Sequence, residues 1–394
     1  MKKFIQYLDT YKENENIQSI EYISILDQIN INYLRYKLSS NQQIYNPLSN
    51  YSLWQNQHDY TFLFDQNISS LSKKPKEYKE INVEIQNIQD LLNIIETYPL
   101  DETIQYNIDI NMLHSIHNEL HELNDMIGLS AFKNQVIDQI LYFIQNLHIG
   151  KIGDYKHTVL FGPPGTGKTE IAKLIGKMYA KLGILQNSTF QKVTRSDLIA
   201  GYLGQTAMKT QKVIEKSLGG VLFIDEAYSL ADINQNDSFS RECIDTLCEA
   251  LSEYKDNWMV IIAGYEDEIK QQLFKANPGL ESRFIWRFTL DPYDSKEMFS
   301  IFKKKVEKNE WSFNSLDSTI GEKWFQLNKD SLPYFGRDIE ALFTYTKIAH
   351  GRRIFGKGDE KKNLTLEDLE KGFDTFKRFS KNKKKESVIY SMYC

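Results

Sequence analysis

The chain has 394 residues, enough for two or three domains and at least one sizeable hydrophobic core. Its 48 Lys and Arg residues against 53 Asp and Glu residues give a net charge of −5, which excludes a global electrostatic field for nucleic acid or an anionic membrane. The cysteines Cys243, Cys248 and Cys394 have no paired C-x-x-C spacing, so they do not form a disulfide framework and favour a reducing compartment, by default the cytosol.

The N-terminal segment lacks the apolar run of an export signal, since residues 7–16 are polar and acidic. The longest apolar runs, such as Val221–Ile224, are far shorter than the roughly 20 residues that span a bilayer. A soluble, cytoplasmic protein without membrane contact is therefore expected.

Residues 1–120 contain no glycine and are predicted to form a mainly helical accessory region. Residues 39–80 within it are rich in Asn, Ser and Gln, which is typical of an irregular connection or a weak strand. Two stretches have apolar residues at helical spacing: Ile88, Leu91, Leu92 and Ile95, and Leu113, Ile116, Leu120 and Leu123.

Potential metal ligands lie on the second of these helices, at His114, His117 and His121. Their spacing could present three imidazoles to a metal ion. The apolar residues between them explain the stretch as an amphipathic helix with polar edges, and this interpretation is favoured. Cys243 and Cys248, on a later predicted helix, point to different sides and are interpreted as core residues.

From residue 121 to 292, short β-branched runs alternate with amphipathic stretches, which predicts a doubly wound α/β domain. The near-continuous apolar character of the runs is typical of parallel strands buried on both faces. Five strands are predicted, at Thr158–Phe161, Phe190–Val193, Val221–Ile224, Met259–Ala263 and Ile285–Thr289.

A glycine-rich loop follows the first predicted strand and opens the amphipathic stretch Glu170–Leu182, as a phosphate-binding loop requires. Its glycines let backbone N–H groups converge on phosphates, and the helix N-terminus adds partial positive charge. Lys168 is expected to reach the β- and γ-phosphates of ATP, and Thr169 to place its hydroxyl on Mg²⁺. The predicted nucleotide-binding residues of the loop are Gly162, Pro163, Pro164, Gly165, Thr166, Gly167, Lys168 and Thr169.

Two carboxylates, Asp225 and Glu226, directly follow the strand Val221–Ile224. Because ligands of parallel sheets bind at the carboxyl ends of strands, both acids are expected to face the phosphates. Asp225 is suited to hold Mg²⁺, directly or through water, and Glu226 to polarise the attacking water. Acids after a strand are also common as helix caps, but their position downstream of the phosphate-binding loop favours hydrolysis.

After Pro292 the pattern is helical, and residues 293–378 are predicted to form a small lid with helices near 295–308, 319–329, 337–350 and 365–378. Residues 379–394 form a basic tail. The cluster of basic residues there is interpreted as a solvated helix end, with a contact for an anionic partner or a nuclear address as alternatives.

Together these motifs resemble the AAA+ P-loop ATPases, and more narrowly the CbbX/CfxQ group with its relatives of sporulation stage V protein K type. The resemblance covers about residues 120–355 and implies a five-stranded parallel sheet, a helical lid and an accessory region outside the match. Its marks are Ile127-Gly128-Leu129, the phosphate-binding loop, Gly201 to Thr206, Leu218 to Leu230, Ala263-Gly264-Tyr265 and Asn277 to Phe284.

The resemblance implies further site residues. Ile127 and Gly128 would line the adenine pocket, unless they only start a helix. Arg283 resembles the arginine finger that reaches the γ-phosphate of a neighbouring subunit, with a surface arginine after a loop as the alternative. Arg337 resembles the sensor arginine that the lid lowers onto the nucleotide, with an ordinary helix-start arginine as the alternative.

Tyr202-Leu203-Gly204 matches the loop that lines the central pore of AAA+ rings. An aromatic ring grips polypeptide by apolar contact, and a glycine lets the loop swing. A buried tyrosine beside a turn is the alternative.

One position departs from the wider family. Many AAA proteins place Asn or Thr after the fourth strand to position the attacking water, whereas this chain, like the CbbX group, has Gly264 and Tyr265 there. Tyr265 is a candidate for the missing polar group.

The sequence thus predicts an ATPase that binds ATP and Mg²⁺, forms a homo-oligomeric ring, expected to be a hexamer, and remodels a client protein chosen by residues 1–120. Two alternatives remain: a nucleic-acid motor or loader, disfavoured by the acidic charge and the lack of a DNA-binding module, and a nucleotide-dependent scaffold with little turnover, disfavoured by Glu226 and Arg283.

Overall fold

The structure, a computed structural model, describes residues 77–148, 154–202, 204–231, 237–313, 318–356 and 361–392. Residue 318 and residues 380–392 are described by their backbone alone. The predicted irregular connection at 39–80 lies outside this part of the chain except for its last four residues. Leu203 of the predicted pore triplet and Cys394 also lie outside it.

A parallel sheet of five strands organises the described chain. Two short strands, β1 (Glu77–Lys79) and β2 (Ile104–Tyr106), pair separately in parallel. The five-stranded sheet consists of β3 (Thr158–Phe161), β4 (Phe190–Val193), β5 (Val221–Ile224), β6 (Met259–Gly264) and β7 (Trp286–Thr289). Its strand order is β4-β5-β6-β3-β7, so the predicted α/β class and strand number are confirmed.

Both faces of this sheet are covered, which explains the unbroken apolar runs. Every residue of β3 and of β5 is buried. On β3, Val159 and Phe161 join one hydrophobic core while Leu160 joins the other, as the two-residue period of a strand requires. β7 begins one residue later than predicted, at Trp286, because Ile285 lies half exposed before the ladder starts.

Helices precede, connect and follow the strands. Those up to β6 are α1 (Ile88–Thr97), α2 (Ile110–Ser115), α3 (His117–Asn124), α4 (Ser130–Ile144), α5 (Lys168–Lys181), α6 (Arg195–Leu198), α7 (Thr206–Ser217) and α8 (Ser238–Glu253). Those after β6 are α9 (Glu266–Glu268), which runs into a π-helical turn at Ile269–Phe274, α10 (Pro278–Arg283), α11 (Ser295–Lys308), α12 (Ser318–Asn328), α13 (Phe335–Arg353) and α14 (Leu366–Met392).

The helices predicted before residue 125 are confirmed as α1, α2 and α3. The helix after Asp109 breaks at Ile116, although its apolar spacing continues into α3. An ion pair of 2.7 Å between Glu119 and Lys181 joins α3 to the C-terminal end of α5. This end of α5 lies one helix length away from the phosphate-binding loop.

The predicted lid helices are confirmed as α11 to α14, with one difference. The last was predicted to end near residue 378 but continues to Met392. Its apolar periodicity stops, yet residues 373–392 contain no Gly or Pro, and their many Lys residues favour helix. Within the described residues, no helix is long and apolar enough to cross a membrane.

Candidate nucleotide and hydrolysis site

The glycine-rich loop turns from β3 into α5 as the sequence predicts. Gly165 and Gly167 have φ values of +84° and +93°, a region that favours glycine. The N–H of Gly162 donates to the carbonyl oxygen of Gly264 at 3.1 Å, which ties the start of the loop to β6. The Thr166 hydroxyl donates to the carbonyl oxygen of Pro163 at 2.9 Å. Pro164 completes the loop, and α5 begins at Lys168.

Lys168 lies over this loop and faces the acids that follow β5. Its Nζ donates to the carbonyl oxygens of Gly162 and Pro163 at 2.7 and 2.8 Å. Burial lowers the pKa of Lys168, the charges of Asp225 and Glu226 oppose that shift, and the charge of Arg337 adds to it. The structure therefore brings the predicted phosphate-binding lysine, both acids and the lid arginine into one electrostatic environment.

Asp225 and Glu226 follow β5, which is separated from β3 only by β6. Asp225 is half-buried and Glu226 is exposed. Glu226 has a φ of +51°, which is uncommon for a residue with a side chain and stores backbone strain.

Lys192, on β4, is a site residue that sequence reasoning missed. Its Nζ lies 2.8 Å from Oδ2 of Asp225 and 3.4 Å from the Thr169 hydroxyl, so both predicted Mg²⁺ ligands converge on one positive charge. A carboxylate and a hydroxyl are oxygen ligands that Mg²⁺ accepts, so the residues present fit a divalent cation. The sequence did offer one signal, because Lys192 lies in the C-terminal half of the predicted strand Phe190–Val193, and parallel strands place their C-terminal ends at the site.

Residues of the lid and of the loop before it lie close to the phosphate-binding loop. Arg337 is exposed in the first turn of α13, and its charge acts on Lys168. From the loop before α11, the hydroxyl of Tyr293 donates to the carbonyl oxygen of Thr166 at 3.2 Å, and burial raises the pKa of Tyr293 to about 12. The phosphate-binding loop is thus held from the lid side by residues more than 100 positions away.

Ile127 and Gly128 are half-buried before α4. Gly128 has a φ of +66° and lies against the carboxylate of Glu297 in the first turn of α11, where a Cβ would overlap that carboxylate. Gly128 therefore lies against the first turn of α11, and its positive φ makes any other residue strained there.

Arg283 lies apart from the residues above. Its Nε donates to the Ser252 hydroxyl at 2.7 Å, and one terminal nitrogen donates to the carbonyl oxygen of Gly279 at 2.6 Å. Its charge acts on His157, which directly precedes β3, and the neighbouring Phe284 ring lies 5.8 Å from the His157 ring. Arg283 is therefore near the amino end of β3, whereas the phosphate-binding loop leaves the carboxyl end.

Tyr202 extends from the segment between α6 and α7, with 75% of its surface exposed. The alternative of a buried tyrosine is therefore wrong. Gly204 has a φ of +74° and an open environment in which a Cβ would meet nothing within 4 Å.

The three histidines of the accessory region do not converge. Nε2 of His117 and Nε2 of His121 are 3.1 Å apart, but His114 turns to the carbonyl oxygen of Tyr98 at 2.9 Å. Across the described residues, no group of three or more His, Cys, Asp or Glu side chains is placed to hold a metal ion. Cys243 is buried as predicted, and Cys248 is half-buried.

A parallel sheet with a phosphate-binding loop after one strand and paired acids after another defines a nucleotide-binding P-loop ATPase. The model of the "ATPase family associated with various cellular activities (AAA)" matches residues 158–287. The chain is 38% identical over 283 residues to the putative cfxQ-like protein R730 of Acanthamoeba polyphaga mimivirus, covering 71% of this chain and 69% of that protein.

Two further relatives are similar to this chain over half of its length or more. The CfxQ homolog of Pyropia yezoensis is 30% identical over 274 residues, 68% of this chain and 89% of that protein. Stage V sporulation protein K of Bacillus subtilis (strain 168) is 35% identical over 209 residues, 51% of this chain and 64% of that protein. The chain belongs to the CfxQ-like family of AAA+ ATPases, and it binds nucleotide and hydrolyses ATP.

Proposed function

We propose that this ATPase assembles into a ring, expected to be a hexamer, and uses ATP hydrolysis to pull a client protein through the central pore. The observation that carries the proposal is the position of Arg283. It lies near the amino end of β3, one strand length or about 13 Å from the loop that holds phosphate. This position, at the opposite end of β3 from the loop, supports a role of Arg283 in a neighbouring subunit's site.

Within one subunit, Lys168 neutralises the β- and γ-phosphates, and the backbone of Gly162 to Gly167 cradles them. Thr169 and Asp225 would hold Mg²⁺, which supplies charge neutralisation at the phosphate oxygens when bound. Glu226 accepts the proton of the attacking water. Arg337 binds the nucleotide from the lid, and Ile127 with Gly128 borders the adenine.

The pore contact is assigned to Tyr202, followed by Leu203 and Gly204. The exposure of Tyr202 supports this role, because a tyrosine that grips polypeptide must present its ring. Residues 121–292 would act as the nucleotide-binding domain, 293–378 as the lid and 379–394 as a basic tail. Residues 1–120, as the accessory region, would select the client.

Mixing two inactive variants tests the shared site. Lys168→Ala subunits cannot bind phosphate but keep Arg283, whereas Arg283→Ala subunits keep the loop but lack the arginine. In a mixed ring, an Arg283→Ala site that borders a Lys168→Ala subunit receives an intact arginine. We therefore expect mixtures to recover about a quarter of wild-type turnover at equal ratio, while each variant alone loses about 10³-fold or more.

Arg287→Ala is the matched control, since Arg287 lies four residues further on and pairs with Glu281 at 3.2 Å. It should hydrolyse ATP normally. Mixtures that stay as inactive as their components, with subunit exchange verified by light scattering, would contradict the ring proposal.

A further inference from the structure

The chain turns directly after β5, and this turn determines where the carboxylate of Glu226 lies. Glu226 has a left-handed backbone, with a φ of +51°, and a short helical turn follows at Ala227–Leu230. The Ser229 N–H donates to the carbonyl oxygen of Glu226 at 2.9 Å, so the two residues are joined through their backbone. A residue with a side chain keeps such a φ only where the surrounding structure holds it. The position of Glu226 therefore depends on the contacts that fix this turn.

Arg195 makes one of these contacts. Its Nη1 donates to the carbonyl oxygen of Ser229 at 2.6 Å. Hydrogen bonds from a charged donor are among the stronger ones in proteins. The buried side chains of Ala227 and Leu230 anchor the turn in the core, and Arg195 fixes its carbonyl group.

The pairing of β4 with β5 brings Arg195 to this place. Val193, the last residue of β4, is in register with Ile224, the last residue of β5. Arg195 follows Val193 by two residues and begins α6, whose start is fixed by a capping box. Glu226 likewise follows Ile224 by two residues. Arg195 and Glu226 thus occupy equivalent positions after two neighbouring strands.

The rest of the guanidinium group contacts the start of α8. Nη1 of Arg195 also donates to the Ser240 hydroxyl at 2.9 Å, and Nη2 pairs with Oδ2 of Asp237 at 2.6 Å. Asp237 caps α8 by accepting from the Phe239 N–H at 2.9 Å. Both terminal nitrogens of Arg195 are therefore engaged with protein acceptors, which suits a residue that holds the structure around it.

Arg195, Ser229 and Glu226 also border one cavity of about 630 Å³, together with Lys192 and Asp225. The cavity lies on the β4 side of the two acids. The phosphate-binding loop lies on their other side, since it follows β3, which is separated from β5 by β6. Arg195 therefore approaches the acids from the side opposite to the phosphate-binding loop, which favours a role in holding Glu226 over a role in binding phosphate.

We propose that Arg195 is a positioning residue for ATP hydrolysis and acts through the turn that follows Glu226. By holding the carbonyl group of Ser229, it keeps the strained backbone of Glu226 in the arrangement that aims the carboxylate at the attacking water. The inference rests on the role proposed above for Glu226 as the acceptor of a proton from that water. Without Arg195, the turn relaxes and the carboxylate moves, while the phosphate-binding loop stays intact.

Arg195→Met removes the donors and keeps a long side chain. We expect kcat to fall about tenfold to hundredfold, because a displacement of a catalytic group by about 1 Å costs on the order of 10²-fold in rate. KM for ATP and the dissociation constant of a fluorescent ADP analogue should change less than about twofold, since the interactions lost serve the chemical step and not binding. Arg195→Lys restores the charge and part of the donors, and should recover about threefold or more over Arg195→Met. A wild-type kcat in Arg195→Met, or a higher KM at constant kcat, would overturn the inference.

Arg287→Met is the matched control. Arg287 also donates to two main-chain carbonyl oxygens and pairs with a carboxylate, but it lies on β7, away from Glu226. Its replacement removes a similar set of contacts and should leave kcat unchanged. An equal fall of kcat in Arg195→Met and Arg287→Met would show a general loss of stability, and the inference would then be wrong.

Hydrogen exchange measures the turn itself. The amides of Ser229 and Ala231 are bonded within it, Ser229 to Glu226 at 2.9 Å and Ala231 to Tyr228 at 3.1 Å. In Arg195→Met these amides should exchange about fivefold faster or more, because local opening of the turn becomes easier. Peptides from α5 should exchange as in the wild type, which shows that the variant is folded. Unchanged exchange of the turn would mean that Arg195 does not hold it.

Glu226→Gln distinguishes the two levels of failure. If it retains wild-type turnover, the hydrolytic role proposed for Glu226 is wrong. If it loses turnover and Arg195→Met does not, only the role of Arg195 fails. In the double variant Arg195→Met/Glu226→Gln the two losses should not multiply, because both changes remove the same function. Losses that multiply would show that Arg195 acts through another group.

Discussion

The backbone N–H of Gly336 donates a hydrogen bond to the carbonyl oxygen of Gly165, 3.1 Å away. The first turn of the lid helix α13 therefore rests directly on the phosphate-binding loop. The contact needs glycine on both sides, since a Cβ on Gly336 would lie 2.8 Å from the same oxygen and a Cβ on Gly165 would overlap the carbonyl oxygen of Tyr334. The start of α13 and the phosphate-binding loop are thus joined by direct backbone contact.

Gly165→Ala should separate the lid from the loop. We expect the affinity for ATP to fall by at least tenfold, because Arg337 is carried away with α13. Gly183→Ala is the matched control, since Gly183 also has a positive φ, +72°, but a Cβ there would meet nothing within 4 Å. It should lower stability by about 1 kcal/mol through backbone strain alone and keep its affinity for ATP. Titration with a fluorescent ATP analogue measures the affinity of each variant. Equal losses of affinity in Gly165→Ala and Gly183→Ala would contradict the steric explanation.

Lys192 should compete with the divalent cation. Its ammonium group contacts both Asp225 and Thr169, so Mg²⁺ must displace it to reach those oxygens. We expect Lys192→Met to raise the affinity for Mn²⁺, measured by electron paramagnetic resonance in the presence of ADP, by about fivefold, which corresponds to about 1 kcal/mol for a half-exposed ion pair.

Lys173→Met removes a surface ion pair with Glu170 on the same side of α5 and is the control, expected to leave Mn²⁺ affinity unchanged. A weaker affinity in Lys192→Met would mean that the lysine helps to hold the metal site and does not compete for it.

Features that a short stretch of sequence determines were predicted, whereas contacts between distant positions were not. The phosphate-binding loop, the strand before it and the acids after β5 were all predicted, because each is a short run whose pattern determines its own geometry. Lys192 was missed as a site residue. It reaches Asp225 across 33 positions, and no local pattern records such a contact.

His157 should make the α/β domain sensitive to acid. It is fully buried before β3, its Nε2–H donates to the Leu251 carbonyl oxygen at 2.9 Å, and its Nδ1 accepts from the Val260 N–H at 3.1 Å. Burial lowers the pKa of His157 to about 4. Because the unfolded chain binds the proton with a pKa near 6.5, stability is full above that pH and falls as the pH drops toward 4.

Between pH 7.5 and pH 5 this histidine alone should cost about 2 kcal/mol of unfolding free energy. Urea denaturation of the wild type and of His157→Asn measures it, since the variant is less stable at pH 7.5 but lacks this titration. The difference between the two proteins should shrink by that amount at pH 5. A constant difference would show that the histidine is not kept neutral by the fold.

On the proposed threading mechanism, Tyr202→Ala should leave ATP hydrolysis in place and abolish pulling on the client. Because Tyr202 lies on an exposed segment without a role in the nucleotide site, its removal should leave most ATP turnover and abolish client remodelling. The client is obtained by holding it on Glu226→Gln subunits, which bind ATP and do not release it, and its unfolding is then followed by hydrogen exchange. Phe355→Ala removes an aromatic ring that is 91% exposed beyond α13 and should alter neither activity. Remodelling that survives in Tyr202→Ala would exclude threading through the pore, because no grip on the polypeptide would remain at that position.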